Sequence, residues 1–298
     1  MGSQILVALD RDTDQPDKIL MEVPEWFADW EDTLSRFKPD SELSRLNRTF
    51  DQPVPVSQVL WDVFETALVA EEETAGLVTP TVLDAMIESG YDRSFDLLPR
   101  FQYHDGKTVL TGTSPLSLVV WDEMDKTICL PEGLRLDFGG IAKGWAAHMT
   151  AERLRSLGPA LVDAGGDIAI TGLELDGQPW QVGVRNPLSP SEDILTLKLG
   201  RCGVATSGRD RRRWVQNGLF QHHIIDPRTG LPADTDILTA MVIAPTVMQA
   251  EAAAKTSLIM GSTDGLEFIN ENPDLAGLFI IDFGELVFSQ RMHEFMWS

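Results

Sequence analysis

Cysteine is scarce in this sequence, which holds only Cys129 and Cys202 among 298 residues. The two lie far apart and lack CxxC or metal-type spacing, which excludes a disulfide framework and a zinc site. No window of about 18 uninterrupted apolar residues occurs, so no membrane insertion is expected. The first residues also lack a basic stretch followed by an apolar one. The sequence therefore predicts a cytoplasmic protein, and it leaves open a signal peptide or lipoprotein leader removed before residue 1.

Basic residues are also few, with 24 Lys and Arg against 46 Asp and Glu and a net charge of −22. Nucleic acids and anionic membrane surfaces bind basic faces, so neither is an expected partner. With 43% hydrophobic and 23% charged residues, the composition is typical of a folded globular protein. The excess of acid is explained by a solvated surface, although it is also compatible with attraction of a divalent cation.

One lysine stands where this acidic chain begins a helix. The stretch DFGGIAKGWAAHMTAERLRSLG, residues 137–158, places Asp137, a glycine pair and Lys143 at the start of a helix predicted over 140–157. A helix start carries unpaired N–H groups and a partial positive charge, and a lysine in its first turn strengthens an anion site. These residues favour a phosphate-bearing ligand, while ordinary helix-entry and packing glycines are the alternative.

Periodicity divides the chain into a helix-rich first third and a strand-rich remainder. An opening strand at 4–10 is followed by a helix with apolar residues spaced by three or four, then by helices at 56–75 and after Pro80. Short strands are predicted from about 118 onward, among them 134–138, 160–164 and 212–216. Two helices follow at about 246–261 and 263–271, and strands at 276–282 and 286–290 close the chain. The pattern predicts one α/β domain over 1–298 with a helical N-terminal part.

Two further segments carry polar residues at glycine turns. DAGGDIAITG, residues 163–172, is typical of a tight turn that exposes backbone amides. The segment 205–232 contains a cluster of four arginines (Arg209, Arg211, Arg212 and Arg213), interpreted mostly as a solvated edge with a diphosphate as the alternative ligand, and then His223 before the turn PRTG. A histidine there is a candidate general base or ribose contact, with a structural role as the alternative. His222 alternates to the opposite face and cannot share that role.

These segments together resemble the FAD:protein FMN transferase family, also called the ApbE family. The resemblance rests on SRFKPDSELSRLN (35–47), DFGGIAKGWA with DAGGDI (137–146 and 163–168), ATSG with HHIIDPRTG (205–230), and IAPTVMQAEAAAKTSLIMG (243–261). Several ordered motifs are far less frequent by chance than one. The resemblance implies a single ApbE-like domain of the α/β (α+β) class, with mixed, mainly antiparallel sheets and a cleft for FAD.

The resemblance also implies an activity. Members of the family bind FAD and, with Mg²⁺, move its FMN half onto a threonine of an acceptor protein, releasing AMP, and some hydrolyse FAD to FMN and AMP. The positions that match the family's FAD contacts are Phe37, Leu77, Val78, Thr79, Asp137, Lys143 and Ile225. Lys143 and His223 are the catalytic candidates, the first for charge neutralisation and the second as a base or an orienting group.

The matching positions for the metal are Gly140, through its carbonyl, and Glu251 and Lys255 on the closing helix. Glutamate can ligate Mg²⁺, but a protonated lysine has no lone pair to offer where the family carries threonine. Two interpretations of Lys255 follow. Glu251 and Lys255 are four residues apart and can form a helix ion pair, or the Lys255 ammonium occupies the place of the metal and neutralises the pyrophosphate. This departure keeps two alternatives open, a divergent FAD-binding protein without transferase activity and an FAD pyrophosphatase.

Overall fold

The computed structural model describes residues 4–12, 18–102 and 112–297. The helices in chain order are α1 (Lys18–Leu34), α2 (Glu42–Leu46), α3 (Gln58–Glu73), α4 (Leu83–Glu88), α5 (Ala142–Leu154), α6 (Val247–Met260) and α7 (Ser262–Glu271). The strands are β1 (Ile5–Leu9), β2 (Val54–Pro55), β3 (Phe101–Gln102), β4 (Val120–Asp122), β5 (Thr127–Cys129), β6 (Ala160–Ala164), β7 (Ile168–Ile170), β8 (Trp180–Arg185), β9 (Asp193–Leu199), β10 (Cys202–Gly208), β11 (Arg213–Gln216), β12 (Leu219–His222), β13 (Ile225–Asp226), β14 (Leu231–Pro232), β15 (Ile237–Ala244), β16 (Ala276–Ile281) and β17 (Leu286–Phe288).

The described residues form two compact units. The first covers 24–102, 112–142 and 211–233, and the second covers 4–12, 18–23, 143–210 and 234–297. All strand pairs are antiparallel in the described part of the chain except β3 with β11. The predicted α/β class with mainly antiparallel sheets is thus confirmed, while a single domain over 1–298 stays a prediction. No helix among these residues is long and apolar enough to cross a membrane.

The first unit contains most of the helical N-terminal part. Helix α3 begins after Ser57, whose side chain accepts a hydrogen bond from the backbone of Leu60, as the sequence predicts for an N-cap. The segment after Pro80 begins as a short 3₁₀ turn and continues as α4. Two small three-stranded sheets, ordered β12-β11-β3 and β2-β5-β4, complete the unit together with the β13-β14 pair.

The strand predicted at 134–138 is wrong, and the reason is a side chain. Leu134, Leu136 and Phe138 are buried in the alternation that suggests a strand. However, the backbone N–H of Leu136 donates to Asn47 Oδ1, and its carbonyl accepts from Asn47 Nδ2, both at 2.8 Å. One buried amide thereby satisfies the groups that a neighbouring strand would otherwise pair.

The second unit is built on a seven-stranded antiparallel sheet in the order β1-β6-β7-β10-β15-β16-β17. Strand β15 lies inside this sheet with all eight residues buried, and the sequence analysis missed it. Helix α6 packs on β10 and β15. The approach is close, because a Cβ on Gly203 of β10 would lie 2.0 Å from the backbone nitrogen of Val247. Glycine at this position therefore sets how near the start of α6 lies to the sheet.

The helix that begins after the DFGGIA segment is shorter than predicted. Helix α5 covers Ala142–Leu154, so it starts two residues later and ends three residues earlier than the predicted range 140–157. Lys143 is consequently its second residue, within the first turn, as the anion-site argument requires.

Candidate functional site

Lys143 is held by two buried carboxylates of the second unit. Its Nζ donates to Asp167 Oδ2 and, at 3.0 Å, to Glu251 Oε1. Asp167 stands directly before β7 and Glu251 in the first half of α6, and 3% and 4% of their side chains are exposed. Burial alone would lower the pKa of Lys143, but the two carboxylates outweigh it and raise the pKa well above its usual value. The lysine is therefore a fixed cation at neutral pH.

Glu251 connects α6 to the first turn of α5. Its Oε2 accepts a hydrogen bond of 3.1 Å from the backbone N–H of Gly144, one of the donors left open at a helix start. A Cβ at Gly144 would lie 2.7 Å from the same oxygen, so a larger residue would push the carboxylate away. Burial opposes the charge of Glu251, yet Lys143 and Lys255 hold its pKa below the usual value.

Lys255 supplies a second ammonium to the same carboxylate. Its Nζ lies 3.7 Å from Glu251 Oε1, one helical turn along α6, and 18% of the side chain is exposed. Burial lowers the pKa of Lys255, with Glu251 acting in the opposite direction. We call Lys143, Asp167, Glu251 and Lys255 the charge cluster. It places together Lys143, Glu251 and Lys255, three residues that the sequence analysis singled out.

The donors around Glu251 do not fit a magnesium ion. One carboxylate oxygen faces two ammonium groups and the other accepts the Gly144 N–H. Mg²⁺ requires an octahedral set of oxygen ligands, whereas ammonium groups repel it. Within the described ranges, no group of three or more His, Cys, Asp or Glu residues is arranged to hold a metal. The assignment of Gly140, Glu251 and Lys255 as metal ligands stays a prediction.

A glycine turn sets the position of Asp167. Gly165 and Gly166 have φ angles of +75° and +101°, in the left-handed region that glycine tolerates. Asp163 Oδ1 accepts the N–H of Gly166 at 2.7 Å and closes the turn. Asp167 then points its buried carboxylate at Lys143, where burial raises its pKa to about 6 against the opposing effect of that lysine. The tight turn predicted at DAGGDI is confirmed.

Asp137, in the first unit, forms a buried ion pair. The Arg36 Nε lies 2.7 Å from Asp137 Oδ2, and only 6% and 7% of the two side chains are exposed. Asp137 Oδ1 also accepts the N–H of Gly139, and the other end of the Arg36 guanidinium donates to the carbonyl of Tyr91. Asp137 is therefore a fixed, neutralised carboxylate on the segment that leads into α5.

Phe37 belongs to a row of aromatic rings in the first unit. Its ring centroid lies 5.7 Å from that of Tyr91, which lies 5.5 Å from that of Trp214. The Arg36 guanidinium stacks over Phe37 at 4.1 Å and over Tyr91 at 4.7 Å. Phe37 is 38% exposed, so one ring of the row remains available to a flat ligand, while Ile225 is buried in the cluster that contains Tyr91 and Trp214.

The segment 77–79 lies beside Asp137. The N–H of Asp137 donates to the carbonyl of Pro80, directly after this segment. Thr79 is buried, with its hydroxyl 2.9 Å from that of Thr81, and Val78 is buried with its N–H on the Thr74 hydroxyl. The first unit therefore places Phe37 and Asp137 beside Arg36, and it places Pro80, the residue after Thr79, beside Asp137. Their contacts with FAD stay a prediction.

His223 lies in the break between β12 and β13, with fixed neighbours on both sides. His222 Nε2 lies 3.1 Å from the carbonyl of Ala233, and His222 Nδ1 accepts the N–H of Ile224. The carbonyl of Ile224 in turn accepts the N–H of Ala233. His222 therefore has a structural role, and it sets the backbone on which the half-buried His223 stands.

The four arginines near His223 divide between the two units. Arg209 belongs to the second unit, where it donates to the Ile237 carbonyl at 2.9 Å and pairs with Asp282 at 2.5 Å. Arg211, Arg212 and Arg213 belong to the first unit, where the first and third are exposed. A solvated edge therefore describes Arg211 and Arg213, and Arg209 is a structural residue.

Sequence reasoning missed Arg36 and Asp167 as members of the site. Both stand inside motifs that were recognised, but no periodicity shows which charged residue of a motif is buried. Two local signals were available. Asp167 is an acidic residue directly before an apolar strand, and Arg36 is a basic residue directly before an aromatic one. Their partners, Lys143 and Asp137, are 24 and 101 residues away in sequence and become neighbours only through the fold.

The fold and this site define an α/β protein with antiparallel sheets whose central helix begins beside a buried cluster of lysines and carboxylates. Comparison with known proteins identifies the family within this class. A family model described as the ApbE family matches residues 1–279. The chain belongs to the ApbE family.

Relatives and solved structures agree with this assignment. The FAD:protein FMN transferase of Vibrio cholerae is 31% identical over 247 residues, covering 81% of this chain and 73% of the relative. That of Treponema pallidum is 31% identical over 274 residues, covering 83% and 72%. The flavin transferase ApbE structure from Vibrio cholerae has a TM-score of 0.79 at 25% identity, covering 99% and 96%. The ApbE protein of Thermotoga maritima has a TM-score of 0.88 at 24% identity over 100% and 97%, which shows a shared fold.

Proposed function

We propose that this protein is an FAD:protein FMN transferase, an enzyme that attaches the FMN half of FAD to a threonine of an acceptor protein and releases AMP. The observation that carries the proposal is the family match over residues 1–279, which includes every candidate site segment of the chain. Lys143 supports it, since a lysine fixed in the first turn of a helix suits a diphosphate.

The reaction is a displacement at the flavin-side phosphorus. The threonine oxygen forms a bond to this phosphorus, the bond to the bridging oxygen breaks, and AMP leaves with that oxygen. Such a transfer depends on positioning and on neutralising charge more than on covalent help from the enzyme. We assign Lys143 to the negative charge of the diphosphate, and Phe37, Leu77, Val78, Thr79, Asp137 and Ile225 to FAD binding. Magnesium assistance, which the resemblance implies, is left out because the donors around Glu251 do not fit that ion.

We assign to His223 the proton of the threonine hydroxyl. The imidazole accepts this proton as the oxygen attacks, or orients the hydroxyl for attack. His223→Ala is expected to lower the rate of transfer by about 100-fold or more while changing FAD affinity little. His293→Ala, which changes an exposed histidine, is the control. An unchanged transfer rate in His223→Ala would remove this residue from the mechanism.

The proposed activity is tested by incubating the purified protein with FAD and a peptide that carries an acceptor threonine. A gain of one FMN mass on the peptide, with one AMP released, is the expected result. FMN and AMP without a modified peptide would identify an FAD pyrophosphatase, in which water takes the place of the threonine.

A second candidate function is FAD binding without transfer, and Lys255 is the observation that favours it. The family carries a hydroxyl residue for the metal at this position, and here an ammonium lies 3.7 Å from Glu251. Bound FAD that is recovered intact, with no modified peptide, would establish this alternative.

A cytoplasmic location forms part of the proposal. It is supported by the two cysteines, neither of which is in a disulfide, as expected of a reducing compartment.

A further inference from the structure

The charge cluster is arranged with its carboxylates inside and its ammonium groups outside. Only 3% of the Asp167 side chain and 4% of that of Glu251 are exposed, against 20% for Lys143 and 18% for Lys255. An approaching ligand therefore meets two cations before it meets a carboxylate oxygen. This polarity suits a diphosphate and opposes a divalent cation.

The hydrogen bonds lead to the same conclusion. Glu251 would be the principal metal ligand, but its Oε1 faces Lys143 at 3.0 Å and Lys255 at 3.7 Å, while its Oε2 accepts the Gly144 N–H. Two ammonium groups and two carboxylates also make the cluster neutral as it stands. A divalent ion bound to Glu251 Oε1 would have to displace both lysines and break their ion pairs with this carboxylate.

We propose that Lys255 is a built-in replacement for a divalent cation, so that this chain binds the diphosphate of its dinucleotide without metal. The inference rests on the proposed function for the identity of the ligand. Lys143 and Lys255 both donate charge-assisted hydrogen bonds to the diphosphate, and Glu251, whose Oε1 lies 3.0 Å and 3.7 Å from their Nζ atoms, holds the two ammonium groups in place. Lys255 is a binding residue in this account, and no proton transfer is assigned to it.

The test is a titration of FAD followed by quenching of flavin fluorescence, once with excess EDTA and once with millimolar MgCl2. The wild-type protein is expected to give the same dissociation constant in both buffers. Lys255→Met removes the charge and is expected to weaken FAD binding by about 10-fold or more, as for a lost charge-assisted hydrogen bond. Lys255→Arg keeps the charge and is expected to retain most of the affinity, and Lys198→Met is the matched control on β9 of the same unit.

Lys255→Thr tests the replacement directly, because it restores an oxygen donor and removes one ammonium. FAD affinity of this variant is expected to fall in EDTA and to recover in MgCl2. The inference is overturned if magnesium tightens FAD binding to the wild type by about 10-fold or more, or if Lys255→Met binds FAD as the wild type does.

A second measurement keeps this inference separate from the proposed function. If the wild type binds no FAD in either buffer, the proposed function fails, and the cluster is tested alone by titrating Mn²⁺ into the FAD-free protein and observing its electron paramagnetic resonance signal. A stoichiometric site in the wild type refutes the inference. Its absence there, with a stoichiometric site in Lys255→Thr, supports it. If FAD binds but no threonine is modified, the metal comparison still decides the inference.

Discussion

Replacing Arg36 by methionine tests the buried ion pair of the first unit. Methionine keeps the length and apolar packing of the side chain but leaves the charge of Asp137 buried without its partner, which lies 2.7 Å away in the native protein. Removing one member of a buried pair costs about 3–5 kcal/mol. The stacking of the guanidinium on Phe37 and Tyr91 adds about 0.5–1 kcal/mol. The expected loss is therefore about 3.5–6 kcal/mol.

The assay is urea denaturation monitored by tryptophan fluorescence, since Trp214 lies 5.5 Å from Tyr91 and reports on this region. The control is Arg135→Met, which breaks a pair with Asp84 whose side chains are 38% and 41% exposed. It is expected to cost at most about 1 kcal/mol. The double variant Arg36→Met with Asp137→Asn should be more stable than Arg36→Met alone, because no charge is left buried while the acceptor for the Gly139 N–H remains. Equal losses for Arg36→Met and Arg135→Met would refute the reasoning.

Three further outcomes are expected. Gly203→Ala should destabilise the second unit by about 3 kcal/mol or more, since the added Cβ would lie 2.0 Å from the backbone nitrogen of Val247. Gly172→Ala is the control and should be nearly neutral, because no heavy atom lies within 4 Å of a Cβ at that position. Equal melting temperatures for the two variants would contradict this. Burial raises the pKa of Cys202 to about 12, so in a Cys129→Ser background its alkylation by iodoacetamide should stay slow from pH 7 to 9 and become fast in urea. At pH values below the pKa of the unfolded thiol, the raised pKa contributes to the stability of the folded state, and this contribution is lost as the pH rises toward 12. Rapid alkylation of the native protein at pH 8 would exclude the raised pKa of Cys202. Thr246→Ala removes the acceptor for the Gln249 N–H at the start of α6 and should lower the free energy of unfolding by about 1 kcal/mol, measured by urea denaturation. Thr33→Ala, on the exposed side of α1, is the control and should change it little. Equal free energies of unfolding for the two variants would argue against the cap.

The charge cluster places two ammonium groups around Glu251, at the position that matches the family's metal site. In the proposed role, the Lys255 ammonium on α6 takes the place of a metal ion, so binding of the dinucleotide needs no supply of that metal. If Lys255 acts as proposed, binding of the dinucleotide depends on ionic strength more than on magnesium, because the attraction is between fixed charges.

Local patterns were sufficient for the elements with a clear period. The spacing of Val23, Phe27, Trp30 and Leu34 predicted α1, and each of these side chains is buried. Ser57 marked the start of α3 because its hydroxyl satisfies an open N–H there. The same reasoning failed at 134–138, where the apolar alternation was correct but the hydrogen-bond partner was the side chain of Asn47.

The sequence by itself determined the α/β class and the helix that begins at the DFGGIAKG segment, because periodicity, caps and glycine turns are local properties. Its motifs carry the likeness to the ApbE family, and that resemblance implied the antiparallel sheets. Only the tertiary structure decided which charges meet. Lys143 pairs with Asp167 and Glu251, and Asp137 with Arg36, across 24 to 108 residues of chain. Burial then fixes the strength of these pairs, since a charge removed from water requires a partner, and no local pattern records which residue will supply it.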